Sequence, residues 1–129
     1  MILLNVVDAS TDGAALFRVT GEVDMSTARL LSDAITAADL IPGSDVSLDM
    51  SGVAFMDCAG VAALVDIRGA FYQLGIQLRI VNPSRAVERI ITLCGLCDYF
   101  CFVYPLERAS PDDLAKVVDL RREVPAQRS

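Results

Sequence analysis

The apolar residues of this sequence alternate between two periods, a spacing of two that is typical of β-strands and a spacing of three or four that is typical of α-helices. Strand-like segments cover residues 2–7, 14–20, 46–50, 76–81 and 100–104, and helix-like segments cover residues 28–38, 61–74, 87–94 and 114–118. The first two strands flank a turn at residues 10–13, which predicts an antiparallel hairpin. The order ββαβαβαβα therefore predicts an α/β fold, in which a mixed sheet of about five strands with an antiparallel edge hairpin packs with about four helices.

Local signals mark the ends of these helices. Gly75 and Gly95 follow the second and third helical segments, where a left-handed C-cap glycine is favoured. Ser84 is suited to cap the third helix. The apolar face of the second helix is expected to end at Leu74, and that of the third at Cys94. Functional residues of such sheets lie where strands lead into helices, so we expect them in the turns after the second, third and fourth strands.

Composition indicates one compact domain. The chain has 129 residues, of which 53% are hydrophobic. We assign residues 1–104 to the α/β domain and residues 105–129 to a C-terminal helix and frayed tail of the same domain. The longest apolar region, residues 52–71, is interrupted by charged residues and is not expected to span a bilayer. Since the amino-terminal segment lacks the features of a secretory signal, we expect a cytoplasmic protein without membrane insertion.

Charge and the lack of histidine exclude several classes of function. Eleven basic and seventeen acidic residues give a net charge of −6, and there is no Trp, so no basic, aromatic surface is available for direct binding of nucleic acid. Without His there is no Ser-His-Asp triad, HExxH zinc helix or histidine phosphorelay. No phosphate-binding Gly-rich loop is present. The sequence therefore predicts a protein that is not an enzyme and has no catalytic residue, cofactor or metal site.

Four separate segments carry a family signature. They are residues 21–24 (Gly-Glu-Val-Asp), 49–51 (Asp-Met-Ser), 55–60 (Phe-Met-Asp-Cys-Ala-Gly) and 93–96 (Leu-Cys-Gly-Leu). In this order they resemble the STAS domains (sulfate transporter and anti-sigma factor antagonist) over about residues 2–104. The resemblance implies a small bacterial regulator similar to the anti-sigma factor antagonists, which control transcription by binding an anti-sigma factor.

The resemblance also implies a phosphorylation switch that this sequence lacks. In that family the partner is an anti-sigma factor and serine kinase, which phosphorylates a hydroxyl residue in the turn that matches residues 57–60. The unphosphorylated antagonist captures the kinase and so frees the sigma factor. Here the two hydroxyl positions are Cys58 and Ala59, and nearby Ser51, Ser26 and Thr27 do not match the acceptor. The fold and partner surface are thus expected to be kept, with phosphorylation control lost or replaced.

Candidate site residues follow from the same resemblance. The partner-binding and switch loop comprises Asp24, Ser51, Asp57, Cys58, Ala59 and Gly60. We expect docking at residues 57–63, with the turn at residues 22–28 beside them. Asp57 has two interpretations, the N-cap of the second helix or a contact with the partner. Asp24 likewise belongs either to the N-cap region of the first helix or to an acidic pocket around the acceptor position.

The four cysteines leave a second question open. The dipole of the second helix favours a thiolate at Cys58, while adjacent Asp57 opposes it, so Cys58 is either a redox switch or a neutral small residue. Cys94 and Cys97 form a CxxC, and Cys101 lies four residues further on. Because this motif ends a helix instead of starting one, buried free cysteines are favoured over a catalytic dithiol. A regulatory disulfide and a zinc site are the alternatives.

Two other functions are consistent with the sequence. In one, the chain is a structural STAS subunit of a larger signalling or lipid-transport assembly. In the other, it is a thiol-redox-responsive protein or small thiol oxidoreductase that uses its cysteines. The identity of a captured partner separates the first from an anti-sigma factor antagonist, and reductase activity that requires Cys94 identifies the second. A homodimer is compatible with each of these functions.

Overall fold

The computed structural model describes residues 3–11 and 14–104, which form five strands and three helices. The strands are β1 (Asn5–Asp8), β2 (Ala15–Val23), β3 (Asp45–Met56), β4 (Gln77–Val81) and β5 (Cys101–Val103), and the helices are α1 (Ala28–Thr36), α2 (Cys58–Gln73) and α3 (Arg85–Leu93). The predicted element order is confirmed through β5. The predicted fourth helix, the tail and part of the hairpin turn lie outside the described residues, so the assignment of residues 105–129 stays a prediction.

The strands form one mixed sheet in the order β1-β2-β3-β4-β5. β1 pairs antiparallel with β2, and the other neighbours pair in parallel, which confirms the predicted edge hairpin. Each helix connects two parallel neighbours, and right-handed crossovers of this kind place α1, α2 and α3 on the same face of the sheet. Within this layer α2 contacts both of the other helices.

The core lies between the helical layer and the sheet. The largest fully buried side chains are Leu31, Ile35, Leu64, Ile67, Phe71 and Ile91 from the helices and Val19, Val23, Val46, Leu48, Met50 and Ile80 from the central strands. Each of the helical residues lies within a predicted helix-like segment. Burial of one such side chain stabilises the fold by about 1.5–3 kcal/mol, so the helical layer and the sheet hold each other in place.

The helix ends follow the predicted local signals. Gly75 and Gly95 have φ values of +68° and +71°, which is the left-handed conformation expected of C-cap glycines. The Ser84 hydroxyl accepts a hydrogen bond from the Val87 N–H at 3.3 Å, so the predicted cap of α3 is confirmed. None of the helices in the described part of the chain is long and apolar enough to cross a membrane.

Three expectations about element bounds are wrong. β3 does not end near Met50 but continues to Met56, because residues 52–56 pair with the end of β2. Leu74 is 49% exposed, since α2 ends one residue earlier. Cys94 is the C-cap of α3 and is exposed, so it does not belong to the apolar face of that helix.

Candidate functional site

Two turns that are distant in the sequence meet where β2 and β3 end. β3 pairs with β4 only as far as Asp49, and it then continues alongside β2 until Met56 lies opposite Val23. The Asp57 N–H donates a hydrogen bond to the Val23 carbonyl at 3.2 Å. The turn that contains Asp24 is thereby fixed beside the amino-terminal end of α2.

Asp57 is the N-cap of α2. Its backbone is extended, with φ −116° and ψ −169°. Its Oδ1 atom accepts hydrogen bonds from the N–H groups of Ala59 at 2.9 Å and Gly60 at 3.4 Å. These bonds satisfy donors that have no partner within the helix. The predicted capping role is confirmed, and contact with a partner stays a prediction.

Asp24 organises the turn that leads from β2 into α1. Its Oδ1 atom accepts hydrogen bonds from the Ser26 hydroxyl at 2.7 Å, the Ser26 N–H at 2.9 Å and the Thr27 N–H at 3.2 Å. These hydrogen bonds, led by the one from the Ser26 hydroxyl, lower the pKa of Asp24 because they stabilise its carboxylate. The residue therefore lies in the N-cap region of α1, as one of its two interpretations predicts, and carries a negative charge at neutral pH.

Thr27 stabilises the same turn through hydrogen bonds of its buried side chain, a role that sequence reasoning missed. Thr27 is 4% exposed and is the one buried polar side chain among the described residues. Its hydroxyl donates to the Glu22 carbonyl at 2.7 Å and accepts from the Asp24 N–H at 3.0 Å. The run Asp-Met-Ser-Thr directly after a strand is the available signal, because Asp, Ser and Thr side chains favour such local turns.

Gly60 allows α2 to approach the strands closely. A Cβ atom at this position would lie 2.6 Å from the Met56 Cγ atom and 3.0 Å from the Val23 Cγ1 atom. Contacts this short require the buried neighbours to move. The structural role of Gly60 is therefore packing at the junction of the two turns.

Only part of the predicted docking range, residues 57–63, is accessible. Its buried members are Gly60, Val61 and Ala63, and its exposed members are Cys58 and Ala62. A strongly exposed apolar side chain, Met25, belongs to the adjoining turn after β2. Its exposure is set by tertiary packing, so no sequence signal identified it.

Ser51 lies apart from the two turns. It is a residue of β3, and its hydroxyl donates to the Asp49 carboxylate at 2.7 Å. Met56 is the fifth residue after Ser51 along the strand, a distance of roughly 16 Å at the usual strand rise. The structure therefore does not bring Ser51 together with the other predicted site residues.

The cysteines are mostly accessible. Cys58, Cys94 and Cys97 are exposed and Cys101 is partly buried, so the prediction of buried thiols is wrong. Partial desolvation, followed by smaller contributions from Cys58, raises the pKa of the Cys94 thiol. The sequence named all four cysteines as redox candidates, and a redox role stays a prediction.

The CxxC follows the carboxyl end of α3, as predicted. Cys97 Sγ lies 3.1 Å from the Thr92 hydroxyl oxygen, within hydrogen-bonding distance. This location lacks the helix amino terminus that activates catalytic dithiols. Within residues 3–11 and 14–104 there is also no group of three or more His, Cys, Asp or Glu side chains arranged to hold a metal ion.

Comparison with known proteins places this geometry in a family. The family model described as STAS domain matches residues 5–110. The chain belongs to the STAS domain family. The resemblance seen in the sequence is thus confirmed, and the two turns of this STAS domain that meet beside α2 contain two of its signature segments, residues 21–24 and 55–60.

Relatives of this STAS chain are named anti-sigma factor antagonists. The anti-sigma-F factor antagonist RsfA of Mycobacterium tuberculosis is 32% identical over 89 residues, which cover 67% of this chain and 70% of the relative. The anti-sigma-B factor antagonist of Listeria monocytogenes is 26% identical over 97 residues, 75% of this chain and 84% of the relative. A crystal structure of an anti-sigma factor antagonist from Mycobacterium paratuberculosis superposes with a TM-score of 0.65 at 29% identity, and covers 88% of this chain and 93% of that one.

Proposed function

We propose that this protein is an anti-sigma factor antagonist that binds a kinase-type anti-sigma factor in the cytoplasm and thereby releases a sigma factor. The observation that carries the proposal is the juxtaposition of the two signature turns, held by the hydrogen bond from the Asp57 N–H to the Val23 carbonyl. The names of its relatives support the same function. In this proposal the protein acts by binding and not by catalysis.

The two turns offer a surface suited to a protein partner. We define the docking surface as the exposed residues of the turn at residues 22–28 and of the amino-terminal part of α2, namely Met25, Ser26, Cys58 and Ala62. Met25 is 87% exposed. An exposed apolar side chain beside charged groups, here Asp24 and Asp57, resembles the apolar centre and polar rim of protein interfaces.

Phosphorylation of the signature turn does not control binding in this proposal. Cys58 and Ala59 occupy the two hydroxyl positions, and neither accepts phosphate from a serine kinase. Ser26 carries an exposed hydroxyl in the adjoining turn, and this hydroxyl donates a hydrogen bond to the Asp24 carboxylate at 2.7 Å. We therefore expect the partner to bind this chain whether or not ATP is present.

Binding to the recovered partner tests the docking surface. We would capture partners from the native cytosol, identify the anti-sigma factor by mass spectrometry and measure its affinity for variants of the full chain. Met25→Asp places a charge in the docking surface and is expected to weaken binding at least tenfold. Ile41→Asp is the matched control, because Ile41 is 74% exposed and lies before β3, at the opposite end of that strand from the docking surface. Equal affinities of the two variants, or the absence of an anti-sigma factor, would contradict the proposal.

Incubation of the pair with ATP tests the lost phosphorylation site. We expect no stoichiometric phosphate on the natural chain, whereas a Cys58→Ser, Ala59→Ser variant regains acceptor hydroxyls and is expected to become phosphorylated. Intact-protein mass spectrometry measures both results. Stoichiometric phosphate on Ser26 or Ser51 of the natural chain would show that another hydroxyl serves as the acceptor.

A further inference from the structure

A partly open cavity of about 340 Å³ lies at the carboxyl-terminal end of α2. Its lining comes from the last turns of α2, the start of β4 and the segment that leads into β5. Arg68, on its wall, follows Cys58 of the docking surface by ten residues, roughly 15 Å at the helical rise. The cavity is therefore separate from the docking surface, and its volume lies within the range of about 300–1,000 Å³ that is usual for small-molecule sites.

The cavity exists because β5 is shorter than β4. In the described part of the chain, β5 pairs with β4 only at residues 79–81. Gln77 and Leu78 of β4 therefore have a neighbouring strand on one side alone, where they pair with β3. Tyr99 and the end of α2 border the space that remains on the other side.

Arg68 is held over an aromatic ring at the wall of this cavity. Its Cζ atom lies 4.0 Å from the centroid of the Tyr99 ring, a cation–π contact. The Tyr99 ring in turn meets the buried Phe100 ring edge-on, with centroids 5.1 Å apart, and the Tyr99 N–H donates to the Leu96 carbonyl at 3.0 Å. These contacts fix the position of the guanidinium before any ligand arrives.

The positive charge of Arg68 is not paired with a carboxylate. Arg68 and Arg79 are both partly buried. Arg79 forms an ion pair with Asp45 at 2.7 Å, whereas within residues 3–11 and 14–104 no carboxylate oxygen lies within 4.0 Å of the Arg68 guanidinium nitrogens. A contact with a ring does not satisfy the five N–H donors of a guanidinium, which match the two oxygens of a carboxylate.

We propose that this cavity binds a small aromatic carboxylate, with the carboxylate on Arg68 and the ring against Tyr72 and Tyr99. Tyr72 follows Arg68 by four residues and so lies on the same face of α2, and it is 75% exposed. The buried residues Ile76 and Leu78 add apolar lining. An aromatic ring gains from contact with such walls, and the unpaired guanidinium selects an acidic group over a neutral or basic one.

The overall charge of the protein makes this selectivity local. With a net charge of −6, the chain repels anions at long range. Binding of an anion at this place therefore reports recognition by Arg68 and not a general attraction. It also does not depend on the anti-sigma factor function proposed above.

An NMR titration of the full chain tests the site. The probe is 1-naphthoate, and 1-naphthamide is the neutral probe of the same shape. We expect 1-naphthoate to bind with a Kd of about 1 mM or tighter and to shift the amide signals of Gly75, Gln77 and Tyr99, while those of Met25 and Cys58 stay unchanged. The amide should bind at least tenfold more weakly. Equal binding of the two probes, or no saturable shift at the cavity, would overturn the proposal.

Two charge-matched variants assign the recognition to one side chain. Arg68→Gln should weaken binding of 1-naphthoate at least tenfold. Arg89→Gln is the matched control, because it removes the same charge from an exposed residue of α3 that does not line the cavity, and it should bind normally. Equal losses in both variants would show a general charge effect and contradict a site at Arg68. If Arg68→Gln does not fold, the comparison of the two probes on the natural chain decides the question.

Discussion

Asp57 connects the fold and the proposed site through one side chain. Its Oδ1 atom caps α2 by accepting hydrogen bonds from the Ala59 and Gly60 N–H groups, and it directly precedes Cys58 in the docking surface. A cap requires a hydrogen-bond acceptor, whereas a contact with a charged partner group requires the negative charge. Substitutions that separate these two properties therefore separate the two interpretations of Asp57.

We predict that Asp57→Ala lowers the free energy of unfolding by about 1 kcal/mol, because the cap of α2 is lost. Asp57→Asn keeps an acceptor and removes the charge, so its stability should stay close to that of the natural chain. Urea denaturation followed by circular dichroism measures both values. If Asp57→Asn also binds the anti-sigma factor normally, the charge has no role in docking, and a weaker affinity with normal stability would show that it does.

The lowered pKa of Asp24 predicts how acid affects the turn before α1. Since its pKa in the folded chain lies below the ordinary value of 3.8, the stability gained from the carboxylate is present above that ordinary value and is lost as pH falls through the folded pKa. Ser26→Ala removes the hydroxyl that lowers the pKa most, so the pKa of Asp24 should rise toward 3.8. A carbon-13 NMR titration of the Asp24 carboxyl measures the change.

Ser10→Ala is the control for this titration. The Ser10 side chain lowers the pKa of Asp8 in the same way, in the connection between β1 and β2. This variant should shift Asp8 and leave Asp24 unchanged. A shift of Asp24 in Ser10→Ala, or none in Ser26→Ala, would show that the hydroxyl of Ser26 is not the main cause.

At the scale of the elements, predictions succeed where the determining interactions are local. Gly75, Gly95 and Ser84 end or begin helices through their own backbone or side chain, so their roles were visible in the sequence. The extension of β3 to Met56 depends instead on parallel pairing with β2, about thirty residues earlier in the chain. In the sequence alone, residues 52–56 do not show the alternation of apolar and polar residues that indicates a strand.

Two glycines of α2 test how tightly this helix is packed against the strands. At Gly60 an added methyl group meets Met56 and Val23, and we expect Gly60→Ala to cost about 1–3 kcal/mol of stability. At Gly69 no atom lies within 4 Å of the added Cβ, so Gly69→Ala should gain about 0.5–1 kcal/mol from the better helix propensity of Ala. Both values come from urea denaturation. Equal effects at the two positions would contradict the close approach at Gly60.

At the scale of the molecule, the candidate site depends on connections that no single segment reveals. The family signature identified the two turns, but it gave no indication of how they are joined, because the hydrogen bond from the Asp57 N–H to the Val23 carbonyl depends on the parallel pairing of β3 with β2. The same fold leaves Met25 exposed in the turn after β2. The sequence therefore predicted the candidate residues, and the fold determines that Asp24 and Asp57 lie in adjoining turns while Ser51 lies apart.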